Sequence, residues 1–450
     1  MTYNPSIRGK RQRIVAALDI GTSKVCCLIG KASSTPDWLE GSAEAMHFDV
    51  LGFGHTRSDG LKAGMVTHLD TAEHCIRAAV DSAERMAGVV VEDVHLSVTA
   101  GRLKSESFSA GVGLPSGSVR EDDVRRLLAG GRQYAARDRR TVLHALPTDF
   151  RLDDNGGISE PRGMCGERLT VDLHTVTADE AATRNLMLCV ERCHLGIADL
   201  VAAPYSSALS VLTPDEAKLG VACIDFGAGT TTLSVIADGH FLHADAIALG
   251  GHGVTVDIAR TLGAPMDHAE RLKTLHGSAF ATLSDEREII TYPCVSGIAQ
   301  GNVNQITKAQ LACIIRPRVE EILDLMRHRL AASGFPAEVA QHLVLTGGGS
   351  QLTGLVELAS NMFGRPARLG RPRAMTGLPP AAAAPDFSAA IGLFLHWARG
   401  DEKPGTQSGQ RFLRTGTGYF ARVGEWIMEN FLTDTKPDAT RFKGVWALAQ

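Results

Sequence analysis

The sequence predicts an α/β fold assembled from two related halves. Two segments, beginning at Ile14 and at Val221, share one pattern: an apolar strand, an Asp-x-Gly turn with small hydroxyl residues, and a second apolar strand. Tight turns between short apolar runs are typical of β-hairpins. A third segment, 342–362, has the pattern of a strand, three glycines and a helix, which is one step of an α/β fold.

Helices are expected between and after these strands. Apolar residues recur at three- and four-residue steps through 71–86, 178–193 and, most strongly, 311–330. Residues 98–173 differ, because short β-prone pieces flank a helical pattern at 121–134. This stretch predicts an inserted α+β subdomain.

Composition restricts the class of protein. The chain has 450 residues, of which 44% are hydrophobic and 21% charged, as in a globular protein of two or more domains. A net charge of −4 and 5% aromatic residues argue against a nucleic-acid partner. Nine scattered cysteines without a CxxC pair predict buried thiols in a reducing cytosol. The first apolar run is short and breaks at Asp19, so a signal peptide is not expected. No run reaches the roughly 18 apolar residues of a spanning helix, so any membrane contact is expected to be peripheral.

The two Asp-x-Gly turns have the composition of phosphate-binding loops. Glycine lets backbone N–H groups approach phosphate oxygens, and neighbouring hydroxyls add donors. Asp19 and Asp225 suit a hydrated Mg²⁺, which takes only one or two carboxylates, and Lys24 suits a phosphate. Each turn by itself is also what a plain hairpin would contain. The pair, together with a triglycine that enters a helix with unpaired amides, favours a nucleotide site without a Walker A loop.

In this order and spacing, the three motifs resemble those of the actin-like ATPase superfamily, and the FtsA family of bacterial cell-division proteins is the most similar member. Segments 200–209 and 389–393 look like the two connecting helices of that fold, and 249–273 and 315–322 extend the likeness. The resemblance implies an actin-like (ribonuclease-H-like) two-domain fold of four subdomains around a nucleotide cleft, plus a C-terminal amphipathic helix. The expected parts are subdomain 1A at 12–97 and 174–212, the inserted 1C at 98–173, 2A at 213–240 and 311–399, 2B at 241–310, a linker at 400–410, the amphipathic helix at 411–432 and an extension of unknown role at 433–450.

The resemblance also implies which residues bind ATP and Mg²⁺, with Asp19 and Asp225 as the metal ligands. The implied set is Asp19, Gly21, Thr22, Ser23 and Lys24 in the first phosphate loop, Asp225, Gly227, Gly229, Thr230 and Thr231 in the second, and Gly347, Gly348, Gly349 and Ser350 in the adenosine motif. Arg318 and Glu320 lie on a helix that borders the adenine in relatives, although a solvated helix face explains them equally well.

One position departs from the pattern of hydrolysing relatives. Those proteins carry a glutamate just before the proline of the first connecting helix, where it orients the attacking water. This chain has Ala203 there, and alanine neither orients water nor accepts a proton. We therefore expect ATP binding with weak or no hydrolysis, and no residue is assigned as catalytic.

The C-terminal segment has the pattern of a membrane-surface helix. Its apolar residues recur at three- and four-residue steps with a tryptophan beside them, and such a stripe lies in the headgroup region of a bilayer. The residues are Phe420, Val423, Trp426, Ile427 and Phe431. A terminal helix docked on the body is the alternative, and the preceding linker composition favours the membrane.

Partners follow from the resemblance alone. It implies the C-terminal tail of FtsZ, self-association into a filament or oligomer, downstream division proteins, and a scaffold at the cytoplasmic face of the inner membrane at the division site. Lys308, at the edge of the subdomain that receives the tail, suits an acidic partner, although a solvated lysine is equally compatible. Two other functions stay open: a PilM-type pilus-assembly protein, and an actin-fold sugar or acid kinase, for which an amphipathic tail has no use.

Overall fold

The computed structural model describes residues 13–34, 46–99, 102–293 and 303–400. The predicted linker beyond Gly400, the amphipathic helix and the extension lie outside the described residues. The five predicted membrane residues lie there too: Phe420, Val423, Trp426, Ile427 and Phe431.

Strands and helices alternate along the chain. The strands are β1 Arg13–Ile20, β2 Lys24–Ser34, β3 Met46–Arg57, β4 Leu61–Lys62, β5 Met65–Val66, β6 Asp93–Val98, β7 Lys104–Gly113, β8 Arg140–Leu152, β9 Asn155–Ile158, β10 Arg168–Asp179, β11 Gly196–Ala202, β12 Val221–Phe226, β13 Thr231–Ala237, β14 His240–Ile247, β15 Ile289–Pro293, β16 Val303–Thr307, β17 His342–Thr346 and β18 Ala367–Leu369. The α-helices are α1 Leu69–Ala87, α2 Glu121–Ala135, α3 Glu180–Arg192, α4 Ala203–Val211, α5 Pro214–Leu219, α6 Gly251–Leu262, α7 Met266–His276, α8 Lys308–Ala332, α9 Leu355–Phe363 and α10 Ser388–Gly400.

Two five-stranded sheets repeat one arrangement, which is the internal repeat that the sequence predicts. The first has the order β11-β6-β1-β2-β3 and the second β14-β13-β12-β17-β18. In the first, β1 pairs antiparallel with β2 and parallel with β6. In the second, β12 pairs antiparallel with β13 and parallel with β17. A third, antiparallel sheet, β7-β10-β8-β9, occupies the stretch predicted as an insertion, and its strand β10 runs past the predicted end at residue 173 to Asp179.

The central strands are apolar because both of their faces are covered. Val221, Cys223 and Ile224 of β12 are all buried, as are the matching apolar residues of β1. Such continuous apolar runs are typical of sheets packed on both sides. The strong helical pattern at 311–330 forms α8, whose apolar stripe is buried, and Thr307 caps this helix reciprocally with Gln310.

The helices α4 and α10, which match the two predicted connecting helices, cross in contact. Every residue of α4 is buried. At the crossing, a Cβ added to Gly392 of α10 would lie 1.6 Å from the carbonyl oxygen of Ser206 in α4. Only glycine allows the two backbones to approach so closely.

The predicted subdomain boundaries remain predictions, and three of them fall inside strands: the division after residue 97 lies in β6, the one after 173 in β10 and the one after 240 in β14. The division expected between residues 240 and 241 interrupts β14, which pairs with β13 up to Ile247. The helix expected directly after the triglycine begins at Leu355, because a 3-10 helix at Gly348–Gln351 comes first. Within the described ranges, none of the helices is both long and apolar enough to cross a bilayer.

Candidate functional site

The two Asp-x-Gly turns have equivalent strand pairing and the same turn hydrogen bond. In the first, Asp19 lies opposite Cys26 and the Gly21 N–H donates to the Lys24 carbonyl at 2.9 Å. In the second, Asp225 lies opposite Thr232 and the Gly227 N–H donates to the Thr230 carbonyl at 3.0 Å. Both turns therefore place a carboxylate at the end of a central strand and glycines in the loop beyond it.

The turns face each other closely. A Cβ on Gly229 would lie 2.4 Å from the hydroxyl oxygen of Thr22, so the approach requires glycine at 229. The Thr22 hydroxyl also accepts a hydrogen bond from the Gly64 N–H at 3.2 Å, and the Ser23 carbonyl accepts from the Ser58 N–H at 3.0 Å. Residues 58–64, which follow β3, thus hold the first turn in place through hydrogen bonds from their backbone N–H groups.

The triglycine packs directly on the second turn, because β17 runs parallel beside β12. Gly347 has a left-handed φ of 84°, and a Cβ there would lie 2.2 Å from Asp225 Oδ1. A Cβ on Gly349 would lie 2.2 Å from the Phe226 ring. Ser350 is buried and its hydroxyl donates to the Gly347 carbonyl at 2.6 Å, so this side chain closes the glycine turn.

Two partly buried carboxylates lie near each other at the base of the turns. Burial raises the pKa of Asp19, against the hydrogen bond from the Ser97 hydroxyl and the charge of Lys24. Burial also raises the pKa of Asp225 to about 6; a hydrogen bond from the Ser207 hydroxyl at 2.5 Å opposes this rise, and the nearby charge of Asp19 adds to it. Neighbouring carboxylates of raised pKa favour a cation between them.

Two carboxylates, Asp19 and Asp225, suit Mg²⁺ better than they suit a metal ion whose ligands all come from the protein. The described residues contain no group of three or more His, Cys, Asp or Glu side chains arranged to hold a metal. Mg²⁺ binds through one or two carboxylates and takes its remaining ligands from phosphates and water. Asp19 and Asp225 would hold such an ion, which would neutralise phosphate charge.

Lys24 is engaged by a residue that the sequence analysis missed. Its ammonium pairs with the Asp386 carboxylate and lies 3.4 Å from the centroid of the Phe387 ring. Asp386 follows the triglycine by almost forty residues and belongs to no motif, so only its place just before α10 draws attention to it.

Arg318 and Glu320 form ion pairs on the helix surface. Arg318 donates to Asp257 at 2.7 Å and to Glu321 at 2.6 Å. Glu320 accepts from Arg316 at 2.7 Å. Such ion pairs are what a solvated helix face would contain, which is the alternative that the sequence left open. A place beside the adenine stays a prediction for both residues.

The structure also brings Lys273 of α7 to the second turn. The Gly251 N–H, at the start of α6, donates to the Gly227 carbonyl at 2.9 Å. The Lys273 ammonium donates to the Gly251 carbonyl at 3.1 Å and to Glu270 at 2.7 Å. A Glu-x-x-Lys pair at helical spacing in 249–273 was the signal that could have found this cation.

The structure also shows the surroundings of Ala203 and Lys308, two further positions singled out from the sequence. Ala203 is buried at the first residue of α4 and carries no group that could orient water. Lys308 lies near Asp285 and Glu288, with nitrogen-to-oxygen distances of 3.3 and 3.4 Å. An acidic partner would have to compete with both carboxylates, and the role of Lys308 in binding stays a prediction.

The Asp225 carboxyl is expected to make stability depend on pH. Its folded pKa of about 6 exceeds its ordinary value of 3.8, so the folded protein takes up a proton that the unfolded chain releases. This stabilisation is complete below 3.8 and is lost as pH rises through about 6, by at most about 3 kcal/mol. In EDTA, the midpoint of thermal unfolding should decrease from pH 5 to pH 7, and this decrease should be smaller for Asp225→Asn than for the parent.

A matched variant controls this experiment. Asp238→Asn removes one carboxylate at an exposed turn and should keep the parental difference between the two pH values. An unchanged difference in Asp225→Asn would show that Asp225 is already ionised in the folded protein at pH 5.

Comparisons with known proteins identify relatives over nearly the whole chain. The family model described as "Cell division protein FtsA" matches residues 222–392, and the model "SHS2 domain inserted in FTSA" matches residues 100–177. The chain is 43% identical to Cell division protein FtsA of Agrobacterium fabrum over 427 residues, covering 94% of this chain and 96% of the relative. The Cell division protein FtsA of Escherichia coli K12 is 30% identical over 433 residues, covering 94% of this chain and all of the relative.

Solved structures share the fold. A PilM–PilN type IV pilus biogenesis complex matches with a TM-score of 0.58 and 17% identity, covering 85% of this chain and 98% of that chain. MreB5 of Spiroplasma citri bound to ADP matches with a TM-score of 0.51 and 14% identity, covering 87% of this chain and 99% of that chain. At these identities the likeness establishes the predicted actin-like fold and nothing about ligands.

Proposed function

The chain belongs to the FtsA family of cell-division proteins, and we propose that it binds Mg-ATP between its two facing turns and tethers the FtsZ ring to the cytoplasmic membrane. The observation that carries the nucleotide part is the pair of equivalent turns, which bring Asp19 and Asp225 together beneath a triglycine. The tethering part is supported by family membership and by the amphipathic sequence at 411–432.

In this proposal the phosphates lie between the turns and the nucleoside lies toward the triglycine. The loop amides and the hydroxyls of Thr22, Ser23 and Thr230 donate to phosphate oxygens, because small residues leave the backbone accessible. Mg²⁺ supplies charge neutralisation, and Asp19 and Asp225 orient it. Ala203 replaces the group that would activate water, so the nucleotide acts as a structural ligand with slow or no turnover.

The membrane part depends on the apolar stripe of the C-terminal segment. Burying its five large side chains would contribute about 1.5–3 kcal/mol each if they were fully desolvated. Partial insertion and the ordering of the helix reduce this to a few kcal/mol, so a single copy binds reversibly. Self-association, which we include in the proposal, presents several tails at once and raises avidity without new contacts.

The partners of the proposal are FtsZ, further copies of this chain and downstream division proteins. Lys308 remains the proposed contact for an acidic FtsZ tail, in exchange for its bonds to Asp285 and Glu288. These assignments follow from family membership, which establishes a role in cell division.

Co-sedimentation with vesicles of phosphatidylethanolamine and phosphatidylglycerol tests the tether. Trp426→Glu combined with Ile427→Glu should move most of the full-length protein from the pellet to the supernatant, since charges in the apolar stripe oppose insertion. ATP affinity should be unchanged.

The matched control is Thr415→Glu with Thr417→Glu, which adds the same charge outside the apolar stripe and should pellet nearly as the parent does. If the Trp426/Ile427 variant still pellets like the parent, this helix is not the anchor. The docked-helix alternative, or a contact through the 433–450 extension, would then replace it.

A further inference from the structure

The ammonium of Lys24 is paired with an acid outside the three motifs. It contacts Asp386, and the two side chains are only 18% and 28% exposed. Because water screens the pair only partly, its attraction exceeds that of a surface ion pair. The face of the Phe387 ring, 3.4 Å away, provides a second favourable contact for the cation.

Asp386 is fixed in place by the triglycine. The carbonyl of its neighbour Pro385 accepts hydrogen bonds from the Gly347 N–H at 3.1 Å and from the Ser388 hydroxyl at 2.7 Å. A Cβ on Gly348 would lie 3.4 Å from the Cβ of Asp386. The carboxylate thus lies between the first turn and the triglycine, within the site that the proposed function assigns to the nucleotide.

We propose that Asp386 competes with nucleotide phosphate for Lys24 and thereby lowers the affinity of the site. This inference rests on the proposed nucleotide binding. Lys24 carries one compact charge, so a phosphate that takes it must displace a carboxylate of the same sign. Phe387 keeps the ammonium in place while its anionic partner changes.

The charges around the turns make this competition effective. Asp19, Asp225 and Asp386 supply three acidic groups, and the charge of Lys24 acts on the first two as well as on Asp386. A phosphate that enters with Mg²⁺ brings a counter-ion for Asp19 and Asp225. It brings no counter-ion for Asp386, which loses its partner Lys24 when phosphate binds. This loss weakens phosphate binding, and a neutral side chain at 386 would not cause it.

The test is a double-mutant cycle on the full-length protein, read out as the dissociation constant for Mg-ATP by calorimetry. Asp386→Asn should bind Mg-ATP roughly 3- to 10-fold more tightly, because a phosphate no longer has to displace a partly screened carboxylate from Lys24. In a Lys24→Ala background, the same Asp386→Asn change should alter affinity by less than about 2-fold, because the contested cation is gone.

Two variants serve as controls. Asp386→Glu keeps the charge and should bind nearly as the parent does. Glu357→Gln, on the exposed face of α9, removes one acid elsewhere and should leave affinity unchanged. Thermal melting checks the folding of each variant, and Asp386→Ser takes the place of Asp386→Asn if the latter does not fold.

The outcomes separate this inference from the function on which it rests. Unchanged or weaker binding by Asp386→Asn, with normal binding by the parent, would overturn the competition and leave the proposed function standing. Equal tightening with and without Lys24 would also overturn it, because a general charge effect would then suffice. Failure of the parent to bind Mg-ATP would overturn both.

Discussion

Replacing Asp225 with alanine is expected to weaken Mg-ATP binding by roughly 10- to 100-fold, the usual cost of losing a charge-assisted contact. Asp225 ends the central strand β12, lies against Gly347 and shares its surroundings with Asp19. Its removal leaves at most one carboxylate for an ion that takes only one or two. Equilibrium binding of ATP by calorimetry, with Mg²⁺ and with EDTA, measures the effect.

The measurement in EDTA shows whether the weaker binding comes from loss of a metal ligand. Without Mg²⁺, Asp225→Ala should bind ATP no more weakly than the parent, since no metal bond remains to be lost. A variant whose Mg-ATP affinity equals that of the parent would remove Asp225 from the metal site. Equal weakening with and without Mg²⁺ would instead indicate a disturbed turn.

Gly392→Ala is expected to cost about 3 kcal/mol or more of stability, at the upper end of overpacking effects. Its new Cβ would lie 1.6 Å from the Ser206 carbonyl oxygen, which belongs to a fully buried helix. The α4 and α10 backbones must separate to accept it. Chemical denaturation monitored by circular dichroism measures the loss.

A glycine in open space controls this substitution. Gly130 lies in α2, and a Cβ there would meet nothing within 4 Å. Gly130→Ala should leave stability unchanged or raise it by about 0.5–1 kcal/mol, because alanine lowers the entropy of the unfolded chain. Equal destabilisation by both variants would mean that the helices do not cross in contact at Gly392.

Local sequence patterns were enough to predict the repeated architecture of this protein. The two Asp-x-Gly hairpins, the strand leading to the triglycine and the long helix at 311–330 are local patterns, and local periodicity and turn chemistry specify them without knowledge of the rest of the chain. The order of the motifs was enough to predict the actin-like fold and the family. The same reading placed carboxylates at the ends of β1 and β12.

The contacts of those residues depend on how distant segments pack together. Lys24 and Asp386 are more than 360 positions apart, and Lys273 reaches the second turn through the start of α6. No periodicity links such residues, because the packing of α10 against distant strands and of α7 against α6 brings them together. The raised pKa of Asp225 is likewise a consequence of burial, which depends on every element around it. Arg318 and Glu320 form ion pairs along their own helix, the pair that Arg318 forms with α6 also depends on tertiary packing, and the place of both residues beside the adenine stays a prediction.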